Sequence, residues 1–141
     1  MKRLVKVISS GLGLGYCPVA SGTIGSLLGI PLVLIYPNSA ILALLLIIIG
    51  IWSSTKGEAL FGEKDSPKIV IDEVAGYYLA MFGLPLTWPY FVGAFLIFRI
   101  LDVIKPGAIR KLQNLKGGWG VMADDLAAGI LTNIILRLFN L

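Results

Sequence analysis

The chain is a succession of long apolar blocks separated by short polar, glycine-rich or proline-containing breaks. Residues 1–10 are short and basic, and Gly11–Gly25 is glycine-rich with Ser21 and Thr23 near its end, which predicts a loop running into a helix that starts near Thr23 or Ser26. Apolar residues continue to Tyr36, break at Pro37-Asn38 and resume from Ser39 to Trp52. Each half has 14 residues, about 21 Å of helix against a hydrocarbon core of roughly 30 Å, so each spans a bilayer only if flanking residues join in. After the polar segment Ser53–Lys68 come blocks from Ile69 to Leu86 and from Pro89 to Ile104, of 18 and 16 residues, separated by a turn that Pro85 and Pro89 favour. A last helix is predicted from Val121 or Ala123 to Phe139. The expectation is an all-α, compact helical membrane protein forming one domain over residues 1–141, with about five hydrophobic helices and short loop helices.

Composition supports the membrane reading. Hydrophobic residues make up 57% of the 141 and the mean hydropathy is +0.88, outside the range of ordinary soluble domains. The net charge of +4 does not imply nucleic acid, because the bases are scattered among apolar runs with little aromatic interleaving; an anionic lipid surface suits them better. Met1-Lys-Arg-Leu-Val-Lys opens like a signal peptide, but the following SSGLGLGYCP is too poor in bulky apolar residues for its core, so no cleavage is expected. The lone Cys17 has no second cysteine or histidine to act with and indicates no compartment.

Charge placement then tests the segment reading. With turns at Pro37-Asn38 and at Pro85–Pro89, five segments alternate direction, and every base except Arg137 falls on the side of the N-terminus. By the positive-inside rule that side is cytoplasmic. All eight acids (Glu58, Glu63, Asp65, Asp72, Glu73, Asp102, Asp124 and Asp125) fall there too. A single kinked helix over residues 74–104 would instead put a bilayer between Asp72 and Asp102.

Asp72-Glu73 begins one predicted segment, Asp102 ends the next and Asp124-Asp125 begins the last, so three helix ends present five carboxylates at one interface. Like charges so placed repel and raise one another's pKa unless a cation sits among them. Hard oxygen ligands without His or Cys point to Mg²⁺. The plain alternative is that Asp72 and Asp124 are N-caps, with Glu73 and Asp125 favourable near a helix dipole. Arg99, Asp102 and Lys105 share one helical stripe and can simply pair, yet Lys105-Pro106 ends the helix and aims the ammonium group beyond it, towards a phosphate. Arg110, Lys111 and Lys116 read as a basic loop facing anionic headgroups. Gly117–Gly120 permits close approach to a ligand or metal, or forms a turn with Trp119 as interfacial anchor. The stretch before Thr23 and Ser26 can cradle a phosphate at a helix N-terminus, or serve only as helix entry.

Absences narrow the chemistry. The chain has no histidine, which excludes phosphohistidine intermediates, a Ser-His-Asp triad and His-ligated zinc. Cys17 lacks the arginine that follows a phosphatase cysteine by six positions, and no Asp-x-Asp marks an aspartyl-phosphate nucleophile. Metal-assisted hydrolysis remains, with a carboxylate as general base. Two rivals stay open. A phosphatidyltransferase would carry an Asp-Gly pair, which is absent, and a small cation-binding or transport protein would place its acids in mid-membrane.

Four blocks, GTIGS at 22–26, IDEVAG at 71–76, FRILDVIKPGAIRKL at 98–112 and GGWGVMADDLAAG at 117–129, in this order and across nearly the whole chain, resemble the phosphatidylglycerophosphatase A family. The resemblance implies a small all-helical, Mg²⁺-dependent enzyme of the bacterial inner membrane, multi-pass with a cytoplasmic site. Its reaction would remove the terminal phosphate of phosphatidylglycerophosphate to give phosphatidylglycerol, and hence supply cardiolipin synthesis. It implies Asp72, Glu73, Asp102, Lys105, Asp124 and Asp125 as catalytic residues, with the Gly22-Thr23 turn nearby; from the residues themselves the five acids are expected as metal ligands, and Thr23, Ser26, Arg99, Lys105 and Arg110 as substrate-binding. The chain departs from the family pattern at Ser21 and Gly107, where proline is common.

Overall fold

The computed structural model describes residues 1–139, and the apolar blocks become helices throughout. Among the described residues there are seven α-helices, one 3₁₀ turn (Leu14–Tyr16) and no strand. The helices are α1 (Lys2–Ser9), α2 (Ser21–Ile35), α3 (Ala40–Phe61), α4 (Ile71–Met81), α5 (Trp88–Ile104), α6 (Ala108–Leu112) and α7 (Gly118–Phe139).

The two predicted hairpin turns meet at one end of the bundle. Asn38 takes a left-handed φ of 57°, as asparagine tolerates, and its Oδ1 accepts the Gly83 N–H of the second turn at 2.6 Å. Ser39 caps α3 by accepting the Leu42 N–H. The buried Tyr78 hydroxyl donates to the Tyr36 carbonyl at 2.6 Å and accepts the Ser39 N–H at 3.0 Å. Asn133 Nδ2 and the Arg137 guanidinium donate to the Phe82 carbonyl, and Asn133 also reaches those of Leu79 and Ala80. These side chains of α7 satisfy carbonyls that the end of α4 leaves without helical partners. Arg137, the one base expected apart from the others, is thus occupied in closing the end of the bundle remote from the acids.

Three boundaries differ from expectation. α3 runs on to Phe61 through the polar block that begins at Ser53, because Ser53, Ser54 and Gly57 are small enough to be buried against neighbouring helices, while Thr55 returns its hydroxyl to the Ile51 carbonyl. α4 has 11 residues, not 18, or about 16 Å. It is too short to cross a bilayer alone and is the buried axis of the fold, packed by α2, α3, α5 and α7. α7 begins at Gly118, not at Val121 or Ala123, with the Gly118 N–H donating to Thr55 Oγ1 at 2.8 Å. Among the described residues α3 is the helix long and apolar enough to cross a membrane, and only 28% of its most apolar stretch is buried, whereas a soluble protein's core helix would be mostly covered. Large apolar side chains also stand exposed on α2 (Leu34, Ile35), α5 (Leu96, Ile100) and α7 (Ile134, Leu138).

The most extensive helix contact is between α4 and α7. Gly76 and Gly129 face each other, so that a Cβ on Gly129 would fall on the Gly76 carbonyl oxygen. The edges of Phe98 and Phe95 pack on Tyr77 beside this crossing. We predict that Gly129→Ala, by forcing α7 off α4, costs about 2 kcal/mol or more and lowers the thermal unfolding midpoint in detergent. Ile130→Ala next to it, on an exposed side chain, should leave the midpoint nearly unchanged.

Candidate active site

The opposite end of the bundle collects the acids. α4 delivers Asp72 and Glu73 from its first turn, where the positive end of the helix dipole tolerates them. The capping position is Val70, so Asp72 is not an N-cap. Asp124 and Asp125 lie two turns inside α7 and cap nothing, which removes the plain alternative for them and corrects their expected place at a helix start. Asp102 sits in the last turn of α5. The hairpin between α4 and α5 brings Asp102 back beside Asp72-Glu73, as the five-segment reading requires.

Within this group, one carboxylate oxygen from each of Asp72, Glu73 and Asp125 lies within 4.8 Å of the others. Asp72, Asp102, Asp124 and Asp125 are buried, and Asp72 Oδ1, Glu73 Oε2, Asp124 Oδ1 and Asp125 Oδ2 lack any hydrogen-bond partner. Buried acceptors without donors are costly, and several together on acidic oxygens match the demand of a hard divalent cation. The donor set therefore fits Mg²⁺ in chemistry.

Two bases hold oxygens of Asp102, Asp124 and Asp125. Lys105 Nζ donates to Asp102 Oδ1 at 3.0 Å and to Asp124 Oδ2, and stands 3.7 Å from Asp125 Oδ1. Burial alone would lower its pKa, but Asp125, Asp124 and Asp102 push it above the ordinary lysine value, so the ammonium stays charged. Its backbone is left-handed, φ 46°, a conformation that costs a side-chain-bearing residue about 1 kcal/mol. This turn ends α5 and swings the ammonium across to α7. Gly107 follows at φ 44°, which proline cannot adopt; the departure from the family pattern there accompanies a turn that needs glycine.

Arg99 donates to the other oxygen of Asp102. Its guanidinium also stands against the start of α2, where a Cβ on Gly22 would run into Glu73 Oε1 and come within 3.2 Å of both Arg99 Nη atoms. Gly22 of the GTIGS block therefore lets α2 close over the carboxylates. Thr23 follows, half-buried. Ser26 is fully buried and returns its hydroxyl to the Gly22 carbonyl at 2.9 Å. Arg110 donates to the Ile104 carbonyl at 3.2 Å, so it ties α6 to the end of α5 rather than joining the cluster. Trp119 is exposed.

One further acid was missed by sequence reasoning. Asp65, in the loop before α4, has a raised pKa caused first by burial and then by Asp124, with Lys105 opposing, so it approaches the cluster. Its N–H donates to Glu58 Oε1 at 2.9 Å, and with Lys64, Gln113, Asn114 and Gly120 it lines a polar cavity of about 290 Å³. Lys64 donates to the Gln113 carbonyl at 2.9 Å, joining this loop to the one before α7. The available signal was an acid seven residues before Asp72 in a loop otherwise governed by Ser-Pro.

Fold and site together define a helical protein built around a buried carboxylate centre with two attendant bases. A family model described as Phosphatidylglycerophosphatase A matches residues 7–140, and the chain belongs to that family of phosphatases. It is 35% identical to phosphatidylglycerophosphatase A of Escherichia coli, over 92% of this chain and 80% of that protein. It is 32% identical to the protein of the same name from Haemophilus influenzae, over 94% and 86%. A Bacteroides thetaiotaomicron protein described as a putative phosphatidylinositol-3-phosphatase is 37% identical over 96% of this chain and 95% of its own. No solved structure matches the chain.

Because Lys105 is the cation among Asp102, Asp124 and Asp125, its removal leaves buried charge uncompensated. Lys105→Met should destabilise the protein by about 3 kcal/mol in EDTA, with part of the loss recovered in Mg²⁺. Thermal unfolding in both buffers reads this, and a variant as stable as the parent in EDTA would mean that the ammonium compensates nothing there.

Proposed function

We propose that the protein is a Mg²⁺-dependent membrane phosphatase that hydrolyses phosphatidylglycerophosphate to phosphatidylglycerol and phosphate, the step that also supplies cardiolipin synthesis. The observation carrying this reading is the convergence of partnerless buried carboxylate oxygens from α4 and α7 with Lys105 and Arg99, in a chain of this family. The exposed apolar faces and the gathering of acids and bases at one end support a bundle inserted in the bacterial inner membrane with its site at the cytoplasmic surface. The cation-transport alternative is less well supported, because these carboxylates gather at one end of the helices and a lysine already occupies their midst.

Asp72, Glu73 and Asp125 would hold Mg²⁺, with Asp124 and Asp102 beside them. When bound, the ion neutralises phosphate oxygens and makes an attacking water more acidic. Lys105 and Arg99 bind the remaining phosphoryl oxygens and offset charge as it builds there. To do so they would exchange Asp102 for the phosphate. One carboxylate of the cluster takes the water proton as the new P–O bond forms. The bond to the glycerol oxygen breaks, and a proton returns to that oxygen as the alcohol leaves. The burial of Asp124 and Asp125 keeps bulk water away from these charges, where electrostatic stabilisation is stronger.

The Bacteroides relative favours a second reading of the headgroup, since its name specifies a phosphoinositide while its identity extends over nearly the whole chain. Both substrates are membrane lipids that bear a phosphate monoester on a polyol. Phosphate release by purified protein from phosphatidylglycerophosphate and from phosphatidylinositol 3-phosphate, side by side, separates the two. The expected result is faster release from the glycerol lipid, abolished by EDTA. Asp125→Asn should reduce turnover by about 10³-fold or more with the fold preserved, and Asp124→Asn should also abolish it. Full activity in both variants would remove the site assignment.

A further inference from the structure

α5 packs mainly against α4 and α7 and leaves an apolar face uncovered. Leu96, Ile100, Val103 and Ile104 are each more than half exposed, and with Arg99 they line a shallow groove of about 390 Å³. From Ile104 to Leu96 this stripe runs about 12 Å, starting at the site end of the bundle. Its charged member is shared with the site, because the Arg99 guanidinium donates to Asp102 and stands beside Gly22 and Glu73. Lys105 follows Ile104 directly and completes a cationic end.

We propose that this groove holds an acyl chain of the lipid substrate while the lipid's phosphate passes Arg99 to reach the carboxylates. The inference rests on the phosphatase reading given above and adds the path by which substrate arrives. Arg99 lies within the stripe but carries its guanidinium to Asp102 at the site end, where Lys105 also stands, and the other groove residues are apolar; charge gathered there beside apolar surface complements a molecule that is anionic at one end and apolar along its length. A second apolar groove of similar size, about 380 Å³, where Val7 and Leu12 meet Leu28, Leu32 and Val74, lacks this match, since no charged residue lines it among the described residues. An acyl chain lying on α5 lets the headgroup enter sideways from the bilayer, so the lipid need not leave the membrane.

Two measurements test the path. In the first, full-length protein in detergent is illuminated with a phosphatidylglycerophosphate carrying a photoreactive group midway along one acyl chain, and the adducts are mapped by mass spectrometry. Adducts should concentrate on residues 96–104, where phosphatidylcholine with the same chain labels much less. Equal labelling by the two lipids, or adducts chiefly in the groove lined by Val7, Leu12, Leu28 and Leu32, would overturn the proposal. In the second, Ile100→Gln/Val103→Gln should raise KM for a long-chain substrate about tenfold with kcat little changed. The control Leu44→Gln/Ile48→Gln makes an equal polar change on the exposed face of α3 and should leave KM near the parent value. An unchanged KM in the α5 variant, or an equal rise in both, would refute the groove. If the parent protein releases no phosphate from either lipid, the phosphatase reading fails, while the labelling pattern still decides where the chain lies.

Discussion

The arrangement depends on keeping five carboxylates together at one end of an apolar bundle. Such a group repels itself, and in a medium of low effective dielectric the repulsion is large. Lys105 meets part of it by reaching three of the acids from a left-handed turn at the end of α5, and Arg99 adds a second cation. The oxygens these bases leave untouched are those that a divalent ion would take. In this sense the fold provides for the Lys105 contacts and leaves the rest of the compensation to ligands. That is an unfavourable resting state for stability and a favourable one for phosphoryl chemistry.

Holding charges in register requires helices that do not slide, and α4 supplies the fixed axis. Its first turn presents Asp72 and Glu73, its middle meets α7 at the Gly76–Gly129 contact, and its last carbonyls are taken by Asn133 and Arg137. Since α7 carries Asp124 and Asp125 on the same rigid element as Asn133 and Arg137, the polar closure of one end and the acid cluster of the other are set by a single helix pair. The small residues at the crossing are what membrane helices use where apolar burial gives little drive to associate.

Much of this was legible in the sequence. Pro37-Asn38 and the Pro85–Pro89 pair mark turns because they remove donors or tolerate left-handed backbone, and from those two turns the meeting of Asp72 with Asp102 follows. Helix ends were less legible. Ser53, Ser54 and Gly57 read as a polar break, yet residues this small can be buried without breaking a helix, and Ser53 returns its hydroxyl to the Gly50 carbonyl. The reverse error shortened α7, since the glycines before Val121 look like a loop although Thr55 receives the Gly118 N–H and starts the helix there. Residue type pointed to Arg110 and Ser26 as substrate ligands, but type does not show that a nearby carbonyl already holds each side chain. Asp65 was passed over because nothing in its own segment reveals that the loop is drawn over α7 by Lys64 and Gln113.

In the proposed membrane setting the same constraint shapes the boundary with lipid. A phosphatase for a bilayer substrate needs strong charge within reach of hydrocarbon, and charge is penalised there unless paired. The chain separates the two demands along α5. Residues on its exposed face are apolar up to Ile104, while Asp102 and Phe98 turn inward, and Arg99 alone stands at the border between face and interior with its side chain 20% exposed. An arginine suits that border because its long apolar stem can lie along hydrocarbon while the planar guanidinium forks onto carboxylate or phosphate. Lysine at the same place would keep the charge but lose the fork, and with it the two-pronged grip that the proposed phosphate role of Arg99 requires.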